Sequence, residues 1–171
     1  MFQSLAWARI EPLQLNPETA KRLYEIERQS FEKPRTETQF WHFLTSRKNV
    51  HRVLSDRRRA GLIVGHISWI IGREFLFLHS IAVDPGCRRE GLGSAMIYYL
   101  QDRLIHRRVF RVKAIETVVY ETDLQMQLFL KANGFRALEI KHYPDVADGY
   151  VFSWRPVSSK KEGSLTEWTV N

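Results

Sequence analysis

Ser80-Ile81-Ala82-Val83-Asp84-Pro85-Gly86-Cys87-Arg88-Arg89-Glu90-Gly91-Leu92-Gly93-Ser94 joins a β-rich run, Phe75 to Val83, to a segment of different periodicity. In that segment Leu92, Met96, Tyr99, Leu100 and Leu104 recur at i, i+4, i+7, i+8 and i+12, the spacing of one buried helical stripe. A strand, a short glycine-bearing loop and a helix start together make an anion site. The first N–H groups of a helix have no acceptor inside it, and the helix dipole favours negative charge there. Gly91 and Gly93 lack the Cβ atoms that would hold a ligand off the backbone, and Arg88 and Arg89 add positive charge, so a diphosphate suits the loop. Two glycines after a strand are also found in turns that bind nothing. The spacing excludes a Walker loop, since no Gly-Lys-Ser/Thr follows, and a dinucleotide fingerprint, since its third glycine is absent.

Working outward, Asn16-Pro17-Glu18 reads as a helix start with Asn as cap, and Leu23, Tyr24 and Ile26 give an apolar face up to Phe31. Thr36-Glu37-Thr38-Gln39 fits a capping box ahead of Phe40, Phe43 and Leu44. Val50 to Ser55, Leu62 to Ile71 and Phe75 to Val83 read as three antiparallel strands, with an edge strand expected within Leu5 to Leu13. Beyond the long helix come a strand from Arg111 to Tyr120 and a helix opened by a second capping-box match, Thr122-Asp123-Leu124-Gln125. That helix is closed by Asn133-Gly134, and strands at Phe135 to Tyr143 and Gly149 to Trp154 follow. The expected fold is a mixed α/β domain over residues 1–156, a mostly antiparallel sheet of six to seven strands flanked by about four helices, with a polar tail over 157–171.

The chain has 171 residues, 44% of them hydrophobic, enough for one core, and no apolar run approaches the roughly 20 residues that span a bilayer. A cytoplasmic protein without a membrane partner is expected. A single cysteine, Cys87, rules out an internal disulfide and a multi-cysteine zinc cage, and no metal is expected. The net charge of +7 suits a polyphosphate, an acidic surface or a nucleic acid, the last supported by charge alone; Arg57-Arg58-Arg59 and His106-Arg107-Arg108 also read as solvated turns.

Arg88-x-x-Gly91-x-Gly93 directly after Ile81-Ala82-Val83-Asp84-Pro85 resembles the acetyl-CoA site of the GNAT acetyltransferases. Ile26 to Phe31 with Pro34 and Phe40, Leu128 to Phe135, and His142-Tyr143-Pro144 with Asp148-Gly149 are similar to segments of the bacterial ribosomal-protein alanine N-acetyltransferases within that family. The resemblance covers about residues 5 to 156. It implies an acetyl-CoA-dependent N-acyltransferase working by direct transfer to a primary amine, foremost the α-amine of a protein N-terminus, with a small amine or lysine as the alternative acceptor. It further implies that the amides of Ile81 and Val83, flanking Ala82, hold pantetheine and polarise the thioester. Arg88, Arg89, Glu90, Gly91, Leu92, Gly93 and Ser94 would then hold the pyrophosphate, and Asp123 would stand where an asparagine usually meets the cofactor.

The resembled enzymes carry proton-transfer side chains at positions that here are Val118 and Leu130, so a module that binds acyl-CoA without turnover is a further alternative. Strand alternation puts Glu116 and Tyr120 on the face of Val118, from which either can relay protons through water, Tyr120 being preferred. Glu116 can equally be neutralised by an arginine such as Arg111. Tyr143 resembles a peptide-gripping tyrosine or is plain packing. His79, expected on the side of Ile81, is a substrate contact or a structural residue. Phe31 and Pro34 would shape the acceptor pocket, where Arg35, replacing a tryptophan, would favour an acidic neighbour. Tyr98, Tyr99 and Phe110 read as core.

Overall fold

The computed structural model describes residues 5–106, 112–143 and 147–156. In chain order these form β1 (Ala8–Pro12), α1 (Pro17–Ser30), α2 (Glu37–Thr45), β2 (Asn49–Asp56), β3 (Leu62–Ile71), β4 (Phe75–Val83), α3 (Leu92–His106), β5 (Ala114–Tyr120), α4 (Leu124–Ala132), β6 (Arg136–Lys141) and β7 (Gly149–Trp154). The strands make a seven-stranded sheet in the order β1-β2-β3-β4-β5-β7-β6, antiparallel throughout except for β4 and β5. The tail beyond 156, Arg107, Arg108, Phe110, Arg111 and Pro144 lie outside the described residues.

The helices begin where their side chains satisfy orphan amides. Asn16 accepts from the Thr19 amide, and Thr36 and Gln39 exchange both bonds of a capping box. α4 departs from the expected box: its cap is Asp123, whose carboxylate accepts from the Met126 amide at 3.0 Å, so the start lies one residue further on than Thr122 implied. At its other end Gly134 has φ +83°, the left-handed turn that Asn133-Gly134 predicted. β5 begins at Ala114, not at Arg111.

α3 lays Leu92, Met96, Ile97 and Leu100 on Leu54, Val64, Ile67 and Leu78 of the sheet, each fully buried, and burial of this kind stabilises by about 1.5–3 kcal/mol per side chain. α4 joins the same face through Leu130, and Gln101 ties the two helices by donating to the Asn133 carbonyl at 2.9 Å. Of the aromatic stripe expected in the core, Tyr99 is half-buried and accepts from Arg52, whereas Tyr98 is exposed, because it points off the helix away from the sheet.

The opposite face is covered by α1 and α2, and its packing is mixed. Leu23, Phe40, Phe43, Leu44 and Val53 form an apolar cluster. Beside it lies a polar layer. Glu27, 1% exposed, accepts from Arg35 at 2.6 Å, and its other oxygen stands 4.0 Å from His66 Nε2. His51 Nδ1 meets Ser68 Oγ at 2.7 Å and its Nε2 meets the Phe43 carbonyl at 3.2 Å. Arg35 also lies 4.3 Å over the Phe43 ring, so this one side chain pins the α1–α2 loop to both helices. Burial pushes His51 down to about 4 and His66 down to about 3 from 6.5, so both stay neutral in the folded chain.

Arg35→Ala leaves the buried Glu27 carboxylate without its cation. Because Arg35 is itself partly exposed, we expect a loss near the low end for such pairs, about 3 kcal/mol in urea unfolding; an unchanged midpoint would show that the pair does not secure the loop. The neutral histidines set a pH dependence as well. The unfolded chain takes up their protons near pH 6.5 while the folded chain refuses them until about pH 4. Unfolding free energy therefore falls as pH drops through that window. Thermal melts should give a lower Tm at pH 5 than at pH 7, with the gap narrowed in His66→Leu; a gap that persists in full would contradict the assignment.

Candidate active site

β4 and β5 pair only at Phe75↔Ala114, Leu76↔Ile115 and Phe77↔Glu116. One further link, Thr117 Oγ1 donating to the Leu78 carbonyl at 2.9 Å, closes the ladder, and beyond it the strands part. The backbone edge of β4 from His79 to Val83 thus faces an opening in the middle of the sheet. The Asp84 amide donates to the Val64 carbonyl of β3 at 2.8 Å, and strand alternation then turns the amides of Val83 and Ile81 away from β3, toward the opening. That is the orientation expected of two groups that hold pantetheine.

A bulge at this point changes which side chains share a face. Ser68 pairs with Ser80 and Trp69 with Leu78, so His79 is the extra residue of β4. His79 sits edge-on to Phe43 of α2 at 5.0 Å, and Ser80, opposite Ser68, faces the same way, whereas Ile81 packs toward the α3 core. His79 and Ile81 are therefore on opposite faces, contrary to strict alternation. His79 and Ser80 look toward α1 and α2, and Ile81 and Val83 toward α3.

Between β4 and α3 the loop is fixed from three directions. Asp84 is paired with Arg22 of α1 and accepts from the Gly86 amide at 2.8 Å, capping the short turn Pro85–Cys87. Burial alone would raise its pKa, but the bonds from Arg22 and Gly86 and the charges of Arg22 and Arg59 outweigh it and hold the carboxyl below its usual range. Arg58 stacks on Trp7 at 3.4 Å, is bidentate to the enclosed Asp56 at 3.1 and 3.0 Å, and reaches Glu90 at 3.4 Å. Arg59 donates to Cys87 Sγ at 3.4 Å. The arginine cluster, read from sequence as a solvated turn, is thus a brace for the loop.

Within the loop Arg89 has φ +65° and Gly91 φ +80°, left-handed turns that redirect successive amides. The first helical bond of α3 is Ala95 N–H to the Gly91 carbonyl. Among the described residues, the amides of Arg89, Glu90, Gly91, Leu92, Gly93 and Ser94 have no acceptor. A Cβ on Gly93 would come within 3.1 Å of the Phe129 ring of α4, so the bare position lets the two helices approach closely. Arg88 is placed otherwise than expected: its guanidinium donates to the Val83 carbonyl at 3.1 Å, the Gln29 carbonyl at 3.3 Å and Ser30 Oγ at 3.0 Å, facing the end of α1. Asp123 is engaged as the α4 cap.

On the α1/α2 face of β5, Glu116 and Val118 are half-buried and Tyr120 exposed, while Ile115, Thr117 and Val119 are buried on the other side, the alternation read from sequence. Tyr120 meets Tyr143 in a T-shaped contact at 6.3 Å. Tyr143 lies over Gly149, where a Cβ would stand 3.0 Å from its ring and 2.7 Å from Val118. His142 Nδ1 bonds Asp148 at 2.9 Å across the β6–β7 connection, holding this wall in place. The expected pocket residues separate: Phe31 ends α1 half-buried and Pro34 is exposed, but the charge of Arg35 is taken by Glu27. Leu130 is wholly buried.

Glu27, His66, Ser80 and the Arg58 brace were not singled out from sequence. An acid at i+4 from Leu23 and next to Ile26 on the buried stripe of α1 was the available signal for Glu27; nothing local announces the others. A groove of about 470 Å³ between α1 and α2, lined by Tyr24, Phe40 and Trp41 among others, contains none of the expected site residues; the open strand edge and free amides identify the site instead.

The chain is similar in fold to several solved acetyltransferases. The Escherichia coli ribosomal-protein-S18-alanine N-acetyltransferase superposes with TM-score 0.72 at 20% identity over 92% of this chain and 99% of that one. Arabidopsis thaliana NAA60 in complex with acetyl-CoA gives 0.71 at 16% over 86% and 98%. An aminoglycoside 6'-N-acetyltransferase complexed with coenzyme A gives 0.69 at 14% over 86% and 96%. A search of curated proteins finds no match. The sequence model of the Acetyltransferase (GNAT) family matches residues 20–135, well over half of the chain. The free amides after β4, the parted strands and this match agree: the chain belongs to the GNAT family of acetyltransferases, whose acyl donor is acetyl-CoA.

Proposed function

We propose that this acetyltransferase acts on the α-amine of a protein N-terminus by direct attack on acetyl-CoA. The cofactor half rests on the six unpartnered amides from Arg89 to Ser94, which can take a diphosphate at the start of α3, and on the amides of Ile81 and Val83 at the open edge of β4. In this reading pantetheine runs along β4 on the α3 side, and the thioester carbonyl lies where β4 and β5 part. Its oxygen develops negative charge in the tetrahedral intermediate, and strand amides already fixed in place stabilise it without reorganising. Ala82 contributes backbone only, Glu90 is held back from the phosphates by Arg58, and Asp123 shapes the cofactor channel by fixing α4.

The acceptor reading is carried by the wall of Tyr120 and Tyr143 over Gly149, which stands on the face opposite the cofactor. Two aromatic rings, one at the end of β5 and one on the β6–β7 connection, suit an extended peptide lying across the mouth with its amine directed inward, Phe31 and Pro34 of the α1–α2 loop shaping the acceptor pocket. In this reading Tyr120 returns a proton to the departing thiolate, directly or through water, and Glu116 is a second group on that face. With its charge committed to Glu27, Arg35 acts by holding the loop and not by selecting an acidic neighbour.

Incubation with acetyl-CoA and a panel of N-terminal peptides, internal-lysine peptides, polyamines and aminoglycosides, followed by mass spectrometry, tests the acceptor. Acetylation at peptide α-amines is expected. Modification confined to lysine or to small amines would overturn it, and coenzyme binding without thiol release on any acceptor would make the chain a binding module. Gly149→Ala crowds Val118 and displaces the Tyr143 ring, and is expected to raise KM for the peptide about tenfold, on the scale of one lost aromatic contact, with KM for acetyl-CoA unchanged.

A further inference from the structure

Val118 leaves the α1/α2 face of the parted strands with few groups able to accept a proton, and one of them stands at the parting itself. His79 is the first residue of β4 beyond the Leu78–Thr117 link, and it is the residue that the bulge adds. Without the bulge, residue 79 would lie in register against β3 and residues 80 and 82 would turn toward α3. With it, His79 and Ser80 both look toward the acceptor side while the Ile81 and Val83 amides keep their direction toward the opening. Phe43 touches the imidazole edge-on at 5.0 Å and Phe77 lies 6.1 Å away, so the ring is held by apolar walls with its nitrogens unpaired among the described residues. It nonetheless remains open to solvent at the mouth of the site. Next to it, Ser80 Oγ is buried without a partner, a second polar atom on this face with unused hydrogen-bonding capacity.

We infer that His79 is the general base of the transfer, taking the proton from the attacking amine at the β4 bulge, with Ser80 Oγ able to hold a water on the same path. This rests on the acetyltransferase reading given above. The amine nitrogen donates its lone pair to the thioester carbon and forms the N–C bond. The C–S bond breaks with its electron pair on sulfur, one proton of the nitrogen passes to the imidazole, and the CoA thiolate takes a proton from Tyr120 or solvent. A base must be unprotonated to act, and the surroundings favour that state: burial comes first in pushing the imidazole below its usual range, and the Arg35 guanidinium adds to it. His51 on β2, itself neutral in the folded chain, and Glu116, on the same face of β5, are further titratable groups toward that side.

The test is steady-state kinetics of His79→Gln and His79→Ala in the full chain with an acceptor that the wild type acetylates, alongside calorimetry with CoA. Loss of a positioned base costs about 10²- to 10⁴-fold, so kcat/KM for the acceptor should fall at least about a hundredfold in both variants. CoA affinity and Tm should stay near wild type, and added imidazole should restore part of the His79→Ala rate. Activity within about threefold of wild type in either variant would overturn the inference, as would loss that imidazole does not relieve in a folded, CoA-binding His79→Ala. Failure of the wild type to acetylate any amine would instead strike the function on which the inference stands.

Discussion

Beyond Phe77 and Glu116, two neighbouring strands in the middle of the sheet give up their hydrogen bonds to each other. Interior sheet edges are costly because unpaired N–H and C=O groups shielded from water lose the full worth of their bonds. Such an opening persists when the rest of the fold over-determines it and a ligand can complete the pairing. Here the sheet is held on both sides of the gap, by β2 and β3 on one flank and β7 and β6 on the other. The Thr117 hydroxyl ends the β4–β5 ladder by capping a carbonyl that would otherwise be left open.

Both faces of the protein are arranged around that gap, and they differ in chemistry. The α3 face is apolar and tightly packed, so α3 is rigidly aimed and its free amides stay where the loop puts them. Arg22, Arg58 and Arg59 hold the loop through Asp84, Asp56, Glu90 and Cys87. The α1/α2 face carries Glu27, Arg35, His51, His66 and Ser68 in a polar layer that fixes the acceptor-side loop. Satisfied polar contacts of this kind specify one geometry more narrowly than apolar packing does. Glu27 Oε2, both His66 nitrogens and Ser80 Oγ remain without partners, and they are gathered on this face.

The parts of the fold governed by local rules were legible in the sequence: β3, β4 and β7 have the bounds their alternation gave, and the caps at Asn16 and Thr36 and the turn at Gly134 are as read. The anion loop was legible for the same reason, since glycine spacing and a helix start are local. What escaped depends on register and on distant pairing. A bulge inserts one residue without altering composition, so the face of His79 could not be read from alternation. Whether Arg88 and Arg35 offer their charge to a ligand or spend it on Val83, Ser30 and Glu27 depends on which helix end lies alongside, and that is a tertiary fact. Asp123 rather than Thr122 caps α4, since it is the Asp123 carboxylate that reaches the Met126 amide.

The central claim is that backbone amides between Arg89 and Ser94, not side-chain charge alone, take the diphosphate of the donor. Isothermal titration with CoA and with pantetheine, which lacks the diphosphate, addresses it directly, repeated in Arg89→Ala to remove side-chain charge from the loop. Loss of several charge-assisted bonds at about 1.5–3 kcal/mol each predicts that CoA binds at least about a hundredfold more tightly than pantetheine, and that Arg89→Ala keeps most of the difference. Equal affinity for the two ligands in the wild type would contradict the account.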